Sequence, residues 1–226
     1  MTDAKTAGRV IGALLLLQMA GSYLVNFTLL APLSAAPGGL LASAATDPLR
    51  VGVWGLLGLV VAAMPLGIGI AAWPPLRRVG ERWALWVIAL GAVCLALQVV
   101  EHVGLLAVWS LSEARLGAGS AAQAPYDTVA LLARSLRNWT HFSALVVSGA
   151  LYLGFFSALW VGGLVPRVLS GLGVLATVLQ MTAVALPFLG RDVYFPLLAP
   201  IGVVHLLLAL WLLWRGLGTA TRESAG

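Results

Sequence analysis

"WALWVIALGAVCLALQVVEHVGLLAVW", residues 83–109, decides the fold. A membrane strand needs only about 9–11 residues and alternates in polarity, whereas a helix crossing the bilayer needs roughly 20 mainly apolar residues. The run is therefore a membrane helix, yet it carries Glu101 and His102 side by side. Similar runs recur along the chain. Six of them, about 10–33, 51–73, 83–109, 138–163, 170–189 and 197–214, are bounded by Pro, Gly or charge. The expected architecture is all-α: a single integral membrane domain over 1–226, built as a polytopic transmembrane bundle of six helices.

Composition agrees. The chain is 61% hydrophobic and 9% charged, with mean hydropathy +0.99, against about 25% charged residues in a soluble domain. Six spans and short connections use up the length, leaving no room for a separate soluble domain. The 13 basic residues are Lys5 and 12 arginines, set singly at the ends of apolar runs. That distribution is a topological one and does not make a nucleic-acid surface. With both termini inside, Lys5, Arg9, Arg77, Arg78, Arg82, Arg167, Arg215 and Arg222 lie on the inner side. Arg50, Arg115, Arg134, Arg137 and Arg191 lie outside, eight against five. The N-in/C-in arrangement follows. Arginine over lysine, with abundant Ala, Gly and Leu, suggests a GC-rich bacterial genome and hence a multi-pass protein of the bacterial cytoplasmic (inner) membrane. The first run is longer than the 7–15 residues of a signal h-region and is read as a retained helix. Cys94 is the single cysteine, so neither an internal disulfide nor CxxC chemistry is available.

The longest connection, 110–137, contains "YDTVALLARSLRNW" (126–139), with Val129, Leu132 and Leu136 at helical spacing. It predicts an amphipathic surface helix over about 126–137, capped by Asp127 and leading into the fourth span. Tryptophans cluster near run ends, as an interfacial belt does. Pro65 and Pro200 are the interior kink candidates. Ala150, Gly154, Ala158 and Gly162 form a small-residue stripe on the fourth span that admits a close neighbour, either within the chain or as a homo-oligomer seam.

Charge inside a membrane costs about 2.5–3.5 kcal/mol at a helix centre on insertion scales. Glu101 must therefore be protonated, paired or wet. The candidate site residues are Glu101, His102, His141 and His205, all expected in the outer half, with Tyr23, Asn26, Gln98 and Gln180 as supporting polar groups. Glu101 and His102 point about 100° apart and cannot both face one partner. Besides a hydrogen-bonded packing network, three functions fit. The first is binding of a small apolar or amphipathic molecule, or a partner membrane subunit, at an outer-half polar site. The second is a metal- or haem-containing oxidoreductase, with His102, His141 and His205 as metal ligands beside Glu101. The third is a small proton-coupled transporter with Glu101 titrating, which lacks the inverted repeats such carriers show. No HxxH, HExxH, GxSxG or phosphate-loop pattern occurs. The lipid bilayer is the one partner the composition requires.

Four stretches carry a family resemblance: "HFSALVVSGALYLGFFSALWVGGLVPRVLSGLGVLA" (141–176), "LAPIGVVHLLLALWLLWRG" (198–216), "AGRVIGALLLL" (7–17) and "DPLRVGVWGLL" (47–57). They resemble a bacterial membrane family, domain of unknown function four-three-eight-six. The resemblance implies six helices and a bacterial cytoplasmic membrane, and it supplies no activity. His141 falls on a histidine common in that family. His205 falls where the family usually has Glu, and a second family histidine is replaced around Ser157 and Ala158.

Overall fold

The computed structural model describes residues 2–118 and 123–219. Arg222, counted above for topology, and residues 119–122 of the long connection lie outside the described residues. Among those described, all regular structure is helical and there is no strand.

Helix α1 (Thr2–Tyr23) widens into a π-helical turn (Leu24–Leu30) and resumes as α2 (Ala31–Ala35). The short α3 (Gly39–Ser43) and a 3-10 turn lead to α4 (Pro48–Ala62) and α5 (Met64–Val79). Two long helices follow, α6 (Glu81–Gly117) and α7 (Ala124–Gly162). Then come α8 (Arg167–Ala185), two 3-10 turns and α9 (Ala199–Arg215). Six stretches are long and apolar enough to cross a membrane: Ala4–Ala35, Pro48–Val79, Glu81–Gly117, Ala124–Gly162, Arg167–Leu189 and Phe195–Arg215. Large apolar side chains such as Leu56, Leu132 and Val168 are exposed along them. A soluble fold would bury these groups, and a bilayer solvates them.

Several boundaries differ from the sequence reading. The amphipathic segment 126–137 is helical but is the first part of α7, because no Gly or Pro interrupts residues 126–148. The chain does break between α4 and α5, with Pro65 in the first turn of α5. Pro200 is not a kink: it sits in the first turn of α9, where a missing N–H costs nothing. Residues 34–50 are not a plain connection, since α2 and α3 are joined through Gly38 and Gly39, whose φ values of 80° and 68° favour glycine.

The chain divides into two compact units. Unit 1 comprises Met1–Met19, Ala63–Leu95 and Ala144–Gly226. Its core is apolar, with Ile11, Leu15, Ile68, Leu151, Phe155, Phe156 and Leu208 fully buried. The stripe on α7 is used inside this unit. A Cβ on Gly154 would overlap the Trp86 ring, one on Gly162 would overlap Val79, and Ala158 is fully buried. Trp86 Nε1 also donates to the Ala150 carbonyl at 2.8 Å. The stripe thus serves packing within this unit.

Unit 2 comprises Ala20–Ala62 and Ala96–Ser143. Its apolar core gathers Val25, Leu33, Leu41, Trp54, Leu105 and Val108. Unlike unit 1, it also buries Glu101 and His102.

Candidate functional site

The site lies in unit 2 and grows from the angular separation of two adjacent residues on α6. Glu101 faces α7. Its carboxylate accepts from Arg137 Nη2 at 3.1 Å and from His141 Nδ1 at 3.1 Å to each oxygen. Arg137 and His141 are four residues apart and so share one face of α7. The carboxylate is only 9% exposed, and a buried carboxylate is tolerated when paired in this way. Arg137 also donates from Nη1 to Asn138 Oδ1 at 3.3 Å. The guanidinium is therefore held on both sides.

His102, one residue further on, faces α4. Its ring stacks on Trp54 with centroids 4.7 Å apart and planes 21° from parallel. Its Nδ1 lies 2.7 Å from the Gln98 carbonyl. A carbonyl only accepts, so Nδ1 carries a proton. The ring's Nε2 is buried and has no partner among the described residues. It reaches Gly58, where any Cβ would overlap it. Gly58 is thus the close-approach position that lets an imidazole fit between α4 and α6.

The π-helical turn supplies the remaining wall. A π-turn leaves the i→i−4 ladder, and such turns recur at functional sites. Asn26 within it donates from Nδ2 to the Ser22 carbonyl at 2.9 Å, so a carbonyl near the widened turn is satisfied. Ser22, Asn26, Trp54, Gln98, Glu101, His102 and His141 enclose a cavity of about 50 Å³. It has room for a water molecule and none for an organic ligand.

A larger crevice adjoins Arg137. It has a volume of about 230 Å³ and is lined by Leu30, Ser34, Gly39, Leu40, Leu105, Arg134, Arg137 and Asn138. Arg134 also lines a second crevice of about 230 Å³ with Arg115, Asp127 and the Gly38–Ala42 stretch. There Arg115 pairs with Asp127 at 3.2 Å. Arg134 has no hydrogen bond or ion pair among the described residues.

Of the residues expected to form a site, the structure brings together Glu101, His102, His141, Asn26 and Gln98. Tyr23 is not among them: it is exposed and packs on Phe27, with ring centroids 5.3 Å apart. His205 and Gln180 belong to unit 1. His205 lies against Tyr152 and Phe156, at centroid distances of 4.4 and 5.9 Å. The metal site expected from His102, His141 and His205 with Glu101 is not supported. Among the described residues no group of three or more His, Cys, Asp or Glu is placed to hold a metal. The physical reason is prior commitment: Glu101 and His141 are paired with each other, His102 is tied to Gln98 and Trp54, and His205 sits among aromatic rings.

Three members of the site escaped the sequence reading. Arg137 counted there as a topological charge, although its spacing of four from His141 already put both on one face. Trp54 counted as an interfacial anchor, but it is 2% exposed. Gly58 has no sequence signal that separates it from the other helix glycines.

Residues 10–216 match the family model described as Domain of unknown function (DUF4386), and the chain belongs to that family. No curated protein matches, and no solved structure matches.

Proposed function

We propose that this DUF4386 membrane protein binds an amphipathic molecule with an anionic head at the Arg134–Arg137 crevice of unit 2. The observation that carries this is the crevice itself. Its walls combine the apolar Leu30, Leu40 and Leu105 with two guanidinium groups. Arg137 has its counter-charge in Glu101, while Arg134 has none among the described residues. An aliphatic body with a carboxylate or phosphate head matches both features, since arginine recognises either anion by paired N–H donors. In this reading Glu101 and His141 are positioning residues that aim Arg137 at the head group. The water-sized cavity behind them is part of that support.

The basic-residue count supports an N-in/C-in chain in a bacterial cytoplasmic membrane, with the crevice on the outer half. The oxidoreductase and proton-carrier alternatives lack an observation that favours them over binding.

The test uses a photoactivatable diazirine fatty acid on the full chain in detergent. Labelling should concentrate on residues 30–40, 105 and 134–138, and should fall at least several-fold in Arg134→Ala. Labels spread evenly over the lipid-facing residues, or insensitive to Arg134→Ala, would overturn the reading.

A further inference from the structure

A second cationic crevice lies in unit 1, built from residues unrelated to the site above. Its volume is about 360 Å³, and Lys5, Trp211 and Arg215 line it with the Gly163–Pro166 turn and Gly216–Gly218. Its position follows from the helices that meet there. The stretch Ala4–Ala35 begins at this level and Phe195–Arg215 ends at it. The turn between α7 and α8 passes the same point. Where apolar spans begin and end, lipid head groups begin. Trp211 and Trp214 belong to such a level, where indole rings sit against head groups.

The fold holds the Arg215 side chain and the Lys5 backbone in place. The Arg215 guanidinium lies 4.3 Å from the Trp214 ring centroid and 6.0 Å from that of Trp211. Gly216 turns with φ 71°, and a side chain there would collide with the Lys5 backbone. Gly218 N–H donates to the Leu164 carbonyl at 2.8 Å, closing the tail onto the α7–α8 turn. Neither Lys5 nor Arg215 has an ion pair among the described residues. Two cations on this crevice, Arg215 seated against indole rings and the exposed Lys5, therefore lack a counter-charge among the described residues.

We propose that this crevice binds the phosphate of an anionic phospholipid head group, with Lys5 and Arg215 as its contacts. Basic pockets between membrane helices take anionic head groups, at roughly fivefold in affinity for each Lys or Arg near the surface. The chemistry recognised is a phosphate monoanion. The lipid is its source because the pocket opens where the spans end beside two tryptophans.

The experiment is native mass spectrometry of the full chain released from nanodiscs of equimolar phosphatidylglycerol and phosphatidylcholine. With Arg134→Ala as the common background, so that the unit 2 crevice does not contribute, the chain with Lys5 and Arg215 intact should retain phosphatidylglycerol several-fold over phosphatidylcholine. Lys5→Ala with Arg215→Ala should abolish the preference, Lys5→Arg with Arg215→Lys should keep it, and Arg191→Ala should leave it unchanged. A preference that survives the double alanine variant, or that Arg191→Ala removes equally, overturns the proposal. So does an Arg134→Ala parent with no lipid preference that retains added inorganic phosphate, which would make the crevice a free-phosphate site.

Discussion

The two units handle half-buried imidazoles in opposite ways. In unit 1, His205 sits against the Tyr152 and Phe156 rings, its Nε2 buried without a partner among the described residues. Tyr152, against which it packs, donates to Gln18 Oε1 at 2.8 Å. In unit 2, His141 is joined to a carboxylate that is itself joined to a guanidinium. The difference teaches that polarity inside an apolar chain is not one kind of feature. An imidazole among rings behaves as an aromatic packing element. An imidazole in a charged network fixes the geometry of its neighbours, and only unit 2 sets such a network beside a crevice. Mutation can separate these behaviours.

The largest effect should come from cutting the network. Glu101→Ala leaves Arg137 and His141 without their acceptor, and breaking a buried ion pair costs about 3–5 kcal/mol. Replacing both charges by apolar residues, as in Glu101→Leu with Arg137→Leu, should cost clearly less than Glu101→Ala alone. Reversible unfolding in mixed micelles reads both. If the single and double variants lose equal stability, the pair is not coupled and the contrast between the units disappears.

Two glycines on α4 give the next test. Gly58→Ala drives a Cβ into His102 Nε2, and overpacking of that kind costs about 1–3 kcal/mol. Gly52→Ala, on the same helix, meets nothing within 4 Å. It should stabilise by about 0.5–1 kcal/mol through helix propensity. Opposite signs from two identical substitutions would locate the tight α4–α6 contact at His102. Equal signs would show that His102 moves aside freely.

These variants also mark what could be read from the sequence. Six helices were legible because length and hydropathy set them independently of neighbours. So was the divergence of Glu101 from His102, since 100° per residue is a property of any helix. Which neighbour each one meets was not legible, because it depends on the rotation of α4 and α7 about their axes. The amphipathic helix over 126–137 was legible too, but not its continuity with the fourth span, which follows from the absence of a breaker in residues 126–148. The π-turn at Leu24–Leu30 has no sequence signature, although it sets one wall of the cavity. The three imidazoles admit a metal-ligand alternative on sequence alone, because composition shows their number and not their partners.

The smallest effects belong to unit 1, and they are the sharpest check on its aromatic character. Tyr152→Phe removes one hydrogen bond and leaves the Gln18 oxygen unpaired, which should cost about 0.5–1.5 kcal/mol. His205→Phe should change stability by less than about 1 kcal/mol in either direction. The Nε2 of His205 has no partner among the described residues to lose, and a phenyl ring keeps the contacts with Tyr152 and Phe156 while the half-exposed position leaves room for its larger ring. The matching His141→Phe substitution in unit 2 should cost more, because it strips a donor from a buried carboxylate that holds Arg137. Thermal unfolding of the two variants side by side measures the difference. If His205→Phe proves the costlier one, the imidazole of unit 1 has a polar role of its own, and the distinction between a packing ring and a network ring fails at its simplest point.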